Sequence, residues 1–155
     1  MPAGIWKLLH LFFAFSFVGT LVVADWNGRA ARATADWTQR ALLFDIVQRA
    51  SGIGGLGSLL ALGVIGYVLA ASSGYHMARD AWLRAAGGAW LATVLVMTLG
   101  ALPSTRRLAK LSSEAAAGGS AAAFEAEVGR WRLCNVALSL LYLALLVLMV
   151  FHWHS

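Results

Sequence analysis

Residues 133–153 read LCNVALSLLYLALLVLMVFHW, a stretch of 21 residues without Lys, Arg, Asp or Glu. A helix that crosses the hydrocarbon layer of a bilayer, roughly 30 Å thick, needs about 20 predominantly apolar residues. Because lipid offers no hydrogen-bonding partners, the backbone of such a segment must satisfy its own polar groups, as a helix does. The stretch therefore predicts a transmembrane helix.

Three further apolar runs of similar length precede it, at about residues 5–24, 53–71 and 82–102. The chain of 155 residues is 60% hydrophobic and 12% charged, with a mean hydropathy of +0.72. A soluble domain carries about 25% charged residues. We therefore predict an all-α fold, an integral membrane bundle of four transmembrane helices. It forms a single membrane domain over residues 1–155, with the lipid bilayer as its first partner.

The basic residues predict the orientation of the bundle. Nine of the 12 Lys and Arg residues fall in the two long loops, at about residues 25–52 and 103–132. The opposite side has only Lys7, Arg79 and Arg84. Loops rich in Lys and Arg remain in the cytoplasm, so we expect both long loops there and both termini outside. The net charge of +5 then reflects membrane topology, and we expect no nucleic-acid partner.

Small residues are concentrated in the second and third runs, with six glycines between Gly52 and Gly66 and Gly88 in the third run. Such faces allow close approach of helix backbones in a membrane. This pattern favours packing within the bundle, and it leaves open a slot for a flat cofactor or a docking face for a partner helix.

Four histidines, His10, His76, His152 and His154, fall on the predicted outer side. Imidazole is a common ligand of haem iron and of copper or zinc. An ionisable residue within a span is a functional candidate, which makes His10 the leading one. Since His152 and His154 are two residues apart and point to different faces of a helix, at most one of them accompanies His10. The alternatives are a helix-to-helix hydrogen bond for His10, interfacial positions for the terminal pair and a solvated loop position for His76.

The opening residues 5–11, IWKLLHL, followed by Val18-Gly19, resemble a bacterial family of predicted four-helix membrane proteins of unknown function. Residues 130–133 and 148–151 resemble its closing part, and Pro103 followed by basic residues is also similar. The resemblance covers nearly the whole chain and implies the bacterial inner (cytoplasmic) membrane.

The W-x-K-x-x-H-like opening is also similar to the HemJ-type protoporphyrinogen oxidases and more loosely to CopD-like copper proteins. In the HemJ type the histidine of the first span is associated with haem, which implies that role for His10. The lysine that this type carries early in the third span corresponds to Ala86 here, although Arg84 is nearby. This departure counts against oxidase activity, whereas haem binding does not depend on it.

We therefore expect a protein that binds haem b near the outer face and serves electron transfer or haem-linked redox chemistry. His10 is the expected axial ligand, with His152 preferred as the second ligand over His76 or His154. Lys7 and Arg84 are expected to meet the haem propionates, since cations pair with carboxylates.

Two alternatives remain. One is a non-catalytic accessory subunit that packs its small-residue faces against a membrane-protein partner or a second copy in a homo-oligomer. The other is copper handling, with His10, His152 and His154 as ligands and a contribution from Met77, because copper requires only converging His and Met side chains.

Overall fold

The computed structural model describes residues 3–151. Over this range the chain forms four long helices, α1 (Ala3–Ala33), α2 (Trp37–Ser72), α3 (Ala81–Ala116) and α4 (Phe124–Val150). Each helix is long and apolar enough to cross a membrane. Each of the four apolar runs lies in a different helix, and only the last residues of the fourth run, 152 and 153, lie outside the described range.

Two of the helices contain π-helical segments. In α2 the segment Ala50–Leu56 separates Trp37–Arg49 from Gly57–Ser72, and in α3 the segment is Val96–Ala101. Residues 37–49, which the sequence predicted as part of the first long loop, therefore belong to the same helix as the second apolar run. The two π segments meet at Gly55 of α2 and Met97 of α3. The Met97 side chain can approach the α2 backbone closely here because glycine has no Cβ.

The arginine-rich end of the bundle has an aromatic core. Phe44 packs edge to face against Phe124 and Trp131, with ring centroids 5.9 and 5.8 Å apart. The Trp131 ring also lies directly against Gly28 of α1 and is 2% exposed. Gly28 leaves a gap in the helix surface, and the indole of Trp131 fills it.

Arg40 links the turn between α1 and α2 to this core. Its Nε donates to the Ala31 carbonyl at 2.9 Å and its second terminal nitrogen donates to the Thr34 carbonyl, near the end of α1. Its guanidinium also lies over the Trp37 and Phe124 rings, at 4.1 and 4.9 Å from their centroids. One side chain thus satisfies exposed helix-end carbonyls and covers two aromatic faces.

α2 and α3 pack closely along their arginine-rich halves, Trp37–Arg49 against Leu102–Ala116. Toward the opposite end, Gly57–Ser72 and Ala81–Leu95 have few mutual contacts, so the two helices diverge. The chain between them turns at Gly74, whose φ of +84° favours glycine. This divergence opens the space that contains the candidate site.

Candidate functional site

A cavity of about 840 Å³ lies between the diverging ends of α2 and α3, and it is open on one side; α1 and α4 also contribute walls. Pockets that hold small molecules and cofactors measure about 300–1,000 Å³. The walls are mostly apolar and aromatic, and the polar side chains include Lys7, His10, Ser73 and Tyr75. A largely apolar chamber with a few polar groups is the usual form of a cofactor site.

His10 enters this cavity from α1. Its ring lies against Gly66 of α2, where an added Cβ would stand 2.9 Å from His10 Cε1 and 3.3 Å from Nδ1. The backbone of Leu62, one turn earlier on α2, interacts with the same ring. Nδ1 itself is buried, and no residue in the described range gives it a hydrogen bond. Leaving such an atom unsatisfied costs about 1–3 kcal/mol, so a ligand that engages it would stabilise the site.

The Trp90 side chain forms a second wall of the cavity, crossing from α3 to α2. Its ring fills the space above Gly63, and its Nε1 donates to the Leu59 carbonyl at 2.8 Å. Gly63 and Gly66 are three residues apart and therefore share one face of α2. The first receives the indole and the second the imidazole. The glycines of the second span thus serve helix packing and, at these two positions, shape the cavity.

Lys7 also lines the cavity, one turn before His10 on α1. His76 and Arg84, the other two candidates within the described range, do not line it. The backbone N–H of His76 donates to Asp80 Oδ2 at 2.6 Å, while its side chain is exposed. Arg84 donates from one terminal nitrogen to the carbonyls of Met77 and Ala78, at 3.0 and 3.1 Å. Arg84 therefore stabilises the loop between α2 and α3.

His152 and His154 lie outside the described residues, so the structure does not bear on their predicted role as ligands. Met149, three residues before His152, does line the cavity, together with Leu145 one turn earlier. Within residues 3–151, no cluster of three or more His, Cys, Asp or Glu side chains could hold a metal ion. His10 is therefore the one imidazole of the described residues in the cavity, with the thioethers of Met77 and Met149 lining the same space.

The sequence did not point to Trp90 or Gly66 as parts of the site. The available signal was the spacing of Gly63 and Gly66 on one helix face, beside large rings on two other helices. The glycine spacing identifies the face of α2 that has no side chains, but it does not identify the aromatic rings that pack against that face. Pairing of Gly66 with His10 depends on the rotation of α1, which a run of apolar residues around the whole helix leaves undetermined.

No family model, no curated protein and no solved structure matches the chain. The similarity to HemJ-type and CopD-like proteins therefore stays a prediction from the sequence.

Proposed function

We propose that this is a multi-pass membrane protein that binds haem b in the cavity beside His10, for electron transfer or haem-linked redox chemistry. The observation that carries the proposal is the His10 imidazole, which lines a mostly apolar cavity of about 840 Å³ and whose buried Nδ1 has no hydrogen-bond partner among residues 3–151. A common form of haem b site combines an imidazole ligand to the iron with apolar walls and a cation that pairs with the propionates. The cavity lining includes each of these.

Each part of the site would have a separate task. The His10 imidazole would ligate the iron, and Gly66 leaves the space in which that ring is held. Lys7, at the end of the same helix, would pair with a propionate. The Trp90 indole, fixed by its bond to the Leu59 carbonyl, would cover a face of the ring system and exclude water. Bound haem would supply a one-electron couple, while the protein fixes its position and surroundings.

The second axial position has more than one candidate. His152 was preferred from the sequence, and His76 and His154 were the other choices. The presence of Met77 and Met149 in the cavity lining adds thioether candidates, because histidine and methionine together ligate the iron of cytochromes c. Since His76 and Arg84 do not line the cavity, we propose no contact of these two side chains with the haem.

The same proposal places the four helices across a bacterial inner membrane. The turns beside Arg40 and Gly118 would face the cytoplasm, and the cavity and both termini would face outward. This orientation is supported by the concentration of Lys and Arg in the two long loops. Under it, the haem would lie near the outer face.

Copper is the second candidate, because His10, Met77 and Met149 line one cavity and soft thioethers select Cu(I). A single metal ion would use little of a volume of about 840 Å³, and this favours the larger cofactor. An accessory subunit would need no cofactor at all, and replacing His10 in it would change stability and leave the spectrum unaltered.

The test is the visible spectrum of the protein purified in mild detergent from cells supplied with haem, first oxidised and then reduced with dithionite. We expect a Soret band with resolved α and β bands, lost in His10→Ala and retained in the matched control His76→Ala. A colourless wild-type protein, or equal spectra for the two variants, would overturn the proposal. Metal analysis of the same samples distinguishes iron from copper.

A further inference from the structure

A second cavity, of about 500 Å³, lies at the seam between α1 and α4, at the end of the bundle opposite to His10. These two helices have few contacts with each other. They meet where Phe17 packs on Tyr142, with centroids 6.0 Å apart, and where Trp131 fills the gap at Gly28. Between and beside these contacts the seam forms a groove on the outer surface of the bundle.

The groove is basic at the end that lies near the last turns of α1 and the first turns of α4. Arg29, Arg32 and Arg132 line it against a single acidic residue, Asp25. Asp25 pairs with Arg29 at 2.8 Å, with both side chains more than half exposed. Arg32 uses Nε to donate to the Gly28 carbonyl, and this leaves its two terminal nitrogens for other acceptors. Three guanidiniums thus face one carboxylate, and the groove has an excess of positive charge.

The Arg132 side chain forms no hydrogen bond or ion pair with any residue of the described range. It is exposed at the edge of the same groove. Guanidinium groups hold phosphates through paired, charge-assisted hydrogen bonds. An anionic phosphate at this position would therefore meet donors that the protein itself does not use.

The groove becomes more apolar along the helices, away from the arginines and toward the middle of the bundle. From Arg132 the lining of α4 runs through Asn135 and Ser139 to Leu140, and on α1 it ends at Leu21. Eight residues of helix, from 132 to 140, span about 12 Å. A phosphate held at the arginines would thus have acyl chains beside Leu21 and Leu140. Basic pockets between membrane helices on the arginine-rich side are a known form of anionic-lipid site.

We propose that this groove binds one anionic phospholipid, with its phosphate on Arg29, Arg32 and Arg132 and its chains along the α1–α4 seam. The proposal is independent of any cofactor at His10. The bound lipid would join two helices that have few direct contacts with each other, and would therefore stabilise the bundle.

The test uses the full chain in detergent, stripped of lipid and then supplied with phosphatidylglycerol, phosphatidylcholine or inorganic phosphate. Native mass spectrometry counts bound lipid, and thermal unfolding reports stabilisation. We expect at least about tenfold tighter binding of phosphatidylglycerol than of phosphatidylcholine, with a rise in Tm. The double variant Arg29→Gln with Arg132→Gln should lose that preference. The matched double variant Arg49→Gln with Arg106→Gln, which removes two exposed arginines elsewhere at the same end, should keep it.

Equal binding of the two lipids by the wild-type protein would overturn the proposal without reference to any variant. Equal stabilisation by inorganic phosphate would also overturn it, because that result indicates a simple anion site without lipid. Equal loss of preference in the two double variants would attribute binding to general surface charge and contradict the assigned groove. The charge-conserving variant Arg29→Lys with Arg132→Lys should keep part of the lipid preference, because it retains the positive charge but loses the paired hydrogen bonds of the guanidinium groups.

Discussion

The imidazole of His10 lies against the bare backbone of Gly66, so that a Cβ at position 66 would stand 2.9 Å from Cε1 of the ring. Two residues that are 56 positions apart in the sequence thus place an imidazole and the space for it at one point. The contact involves the far end of a side chain with two rotatable bonds, and it can yield by rotation. The position of the ring is therefore more sensitive to residue 66 than the fold is.

From this contact we predict that Gly66→Ala lowers haem content more than it lowers stability. The added methyl group forces the His10 ring to move, and a haem ligand needs its position within a fraction of an ångström. The matched control is Gly57→Ala on the same helix, where an added Cβ meets nothing within 4 Å. The ratio of Soret to protein absorbance should fall several-fold in the first variant and remain unchanged in the second. Equal ratios would contradict the assigned role of Gly66.

The bond from Trp90 Nε1 to the Leu59 carbonyl, at 2.8 Å, joins α3 to α2 beside the cavity. We predict that Trp90→Phe lowers the free energy of unfolding by about 1–3 kcal/mol, because it removes this bond and part of the buried indole. Trp26→Phe, at a tryptophan that is 75% exposed, is the control and should change stability little. Thermal unfolding in detergent measures both. A change in Trp90→Phe no larger than in the control would show that the indole does not stabilise this end of the bundle.

Arg40 satisfies carbonyls near the end of α1 and covers two aromatic rings. We predict that Arg40→Ala costs about 2–3 kcal/mol of stability, from lost hydrogen bonds and lost stacking. Arg49→Ala is the matched control on the same helix. Arg49 pairs with Asp45 at 2.8 Å, with both side chains exposed, and such a pair contributes about 0–1 kcal/mol. In a denaturant titration, Arg40→Ala should unfold at a clearly lower denaturant concentration than Arg49→Ala. Similar unfolding midpoints would refute the assigned role of Arg40.

Glu127 of α4 is 7% exposed, and its Oε2 lies 3.5 Å from Arg107 Nε of α3. Removing the partner of a buried carboxylate leaves an uncompensated charge. We predict a loss of about 1–2 kcal/mol in Arg107→Gln, less than for a fully buried pair because Arg107 is largely exposed. The adjacent Arg106→Gln is the control and should be near neutral. If the two variants have the same Tm, the ion pair does not stabilise the α3–α4 hairpin.

The orientation can be tested with single cysteines introduced into a Cys134→Ser background. We predict that Ala78→Cys, in the loop between α2 and α3, reacts with a membrane-impermeant maleimide in intact spheroplasts. Ala35→Cys, in the turn between α1 and α2, should react only after the membrane is permeabilised. Both native residues are exposed. The reverse labelling pattern would invert the proposed topology and place the His10 cavity on the cytoplasmic side.

The apolar runs determine most of the fold, because a lipid-length run without charge has few alternatives to a helix. The sequence was less informative about helix ends. Serine is a favoured N-cap residue, and Ser120 precedes the last helix, but its hydroxyl accepts from the Ala122 N–H at 3.3 Å, and α4 begins only at Phe124. Three alanines before Phe124 offer no competing cap, so the turn itself sets the start of the helix.

Prediction of the site was limited by helix rotation. His10 is a candidate because an ionisable residue within a span is unusual, and Lys7 is one because a cation can pair with a propionate. Both side chains line the cavity. Arg84 was chosen for its charge and its place near the interface, yet the nearest acceptors are the carbonyls of its own loop. Sequence spacing cannot show that nearby backbone carbonyls will accept the hydrogen bonds of a guanidinium group. It also could not show that α2 and α3 diverge, which depends on their tight packing at the other end.

The most direct test of the central claim is a titration of purified haem-free protein with haem, followed by Soret absorbance and by quenching of tryptophan fluorescence. Trp82 and Trp90 line the cavity, so haem bound there should quench part of the emission. We predict saturation at one haem per chain for the wild-type protein and for His76→Ala, and at least a tenfold weaker titration for His10→Ala. A titration without saturation, or one that His10→Ala leaves unchanged, would contradict haem binding at His10.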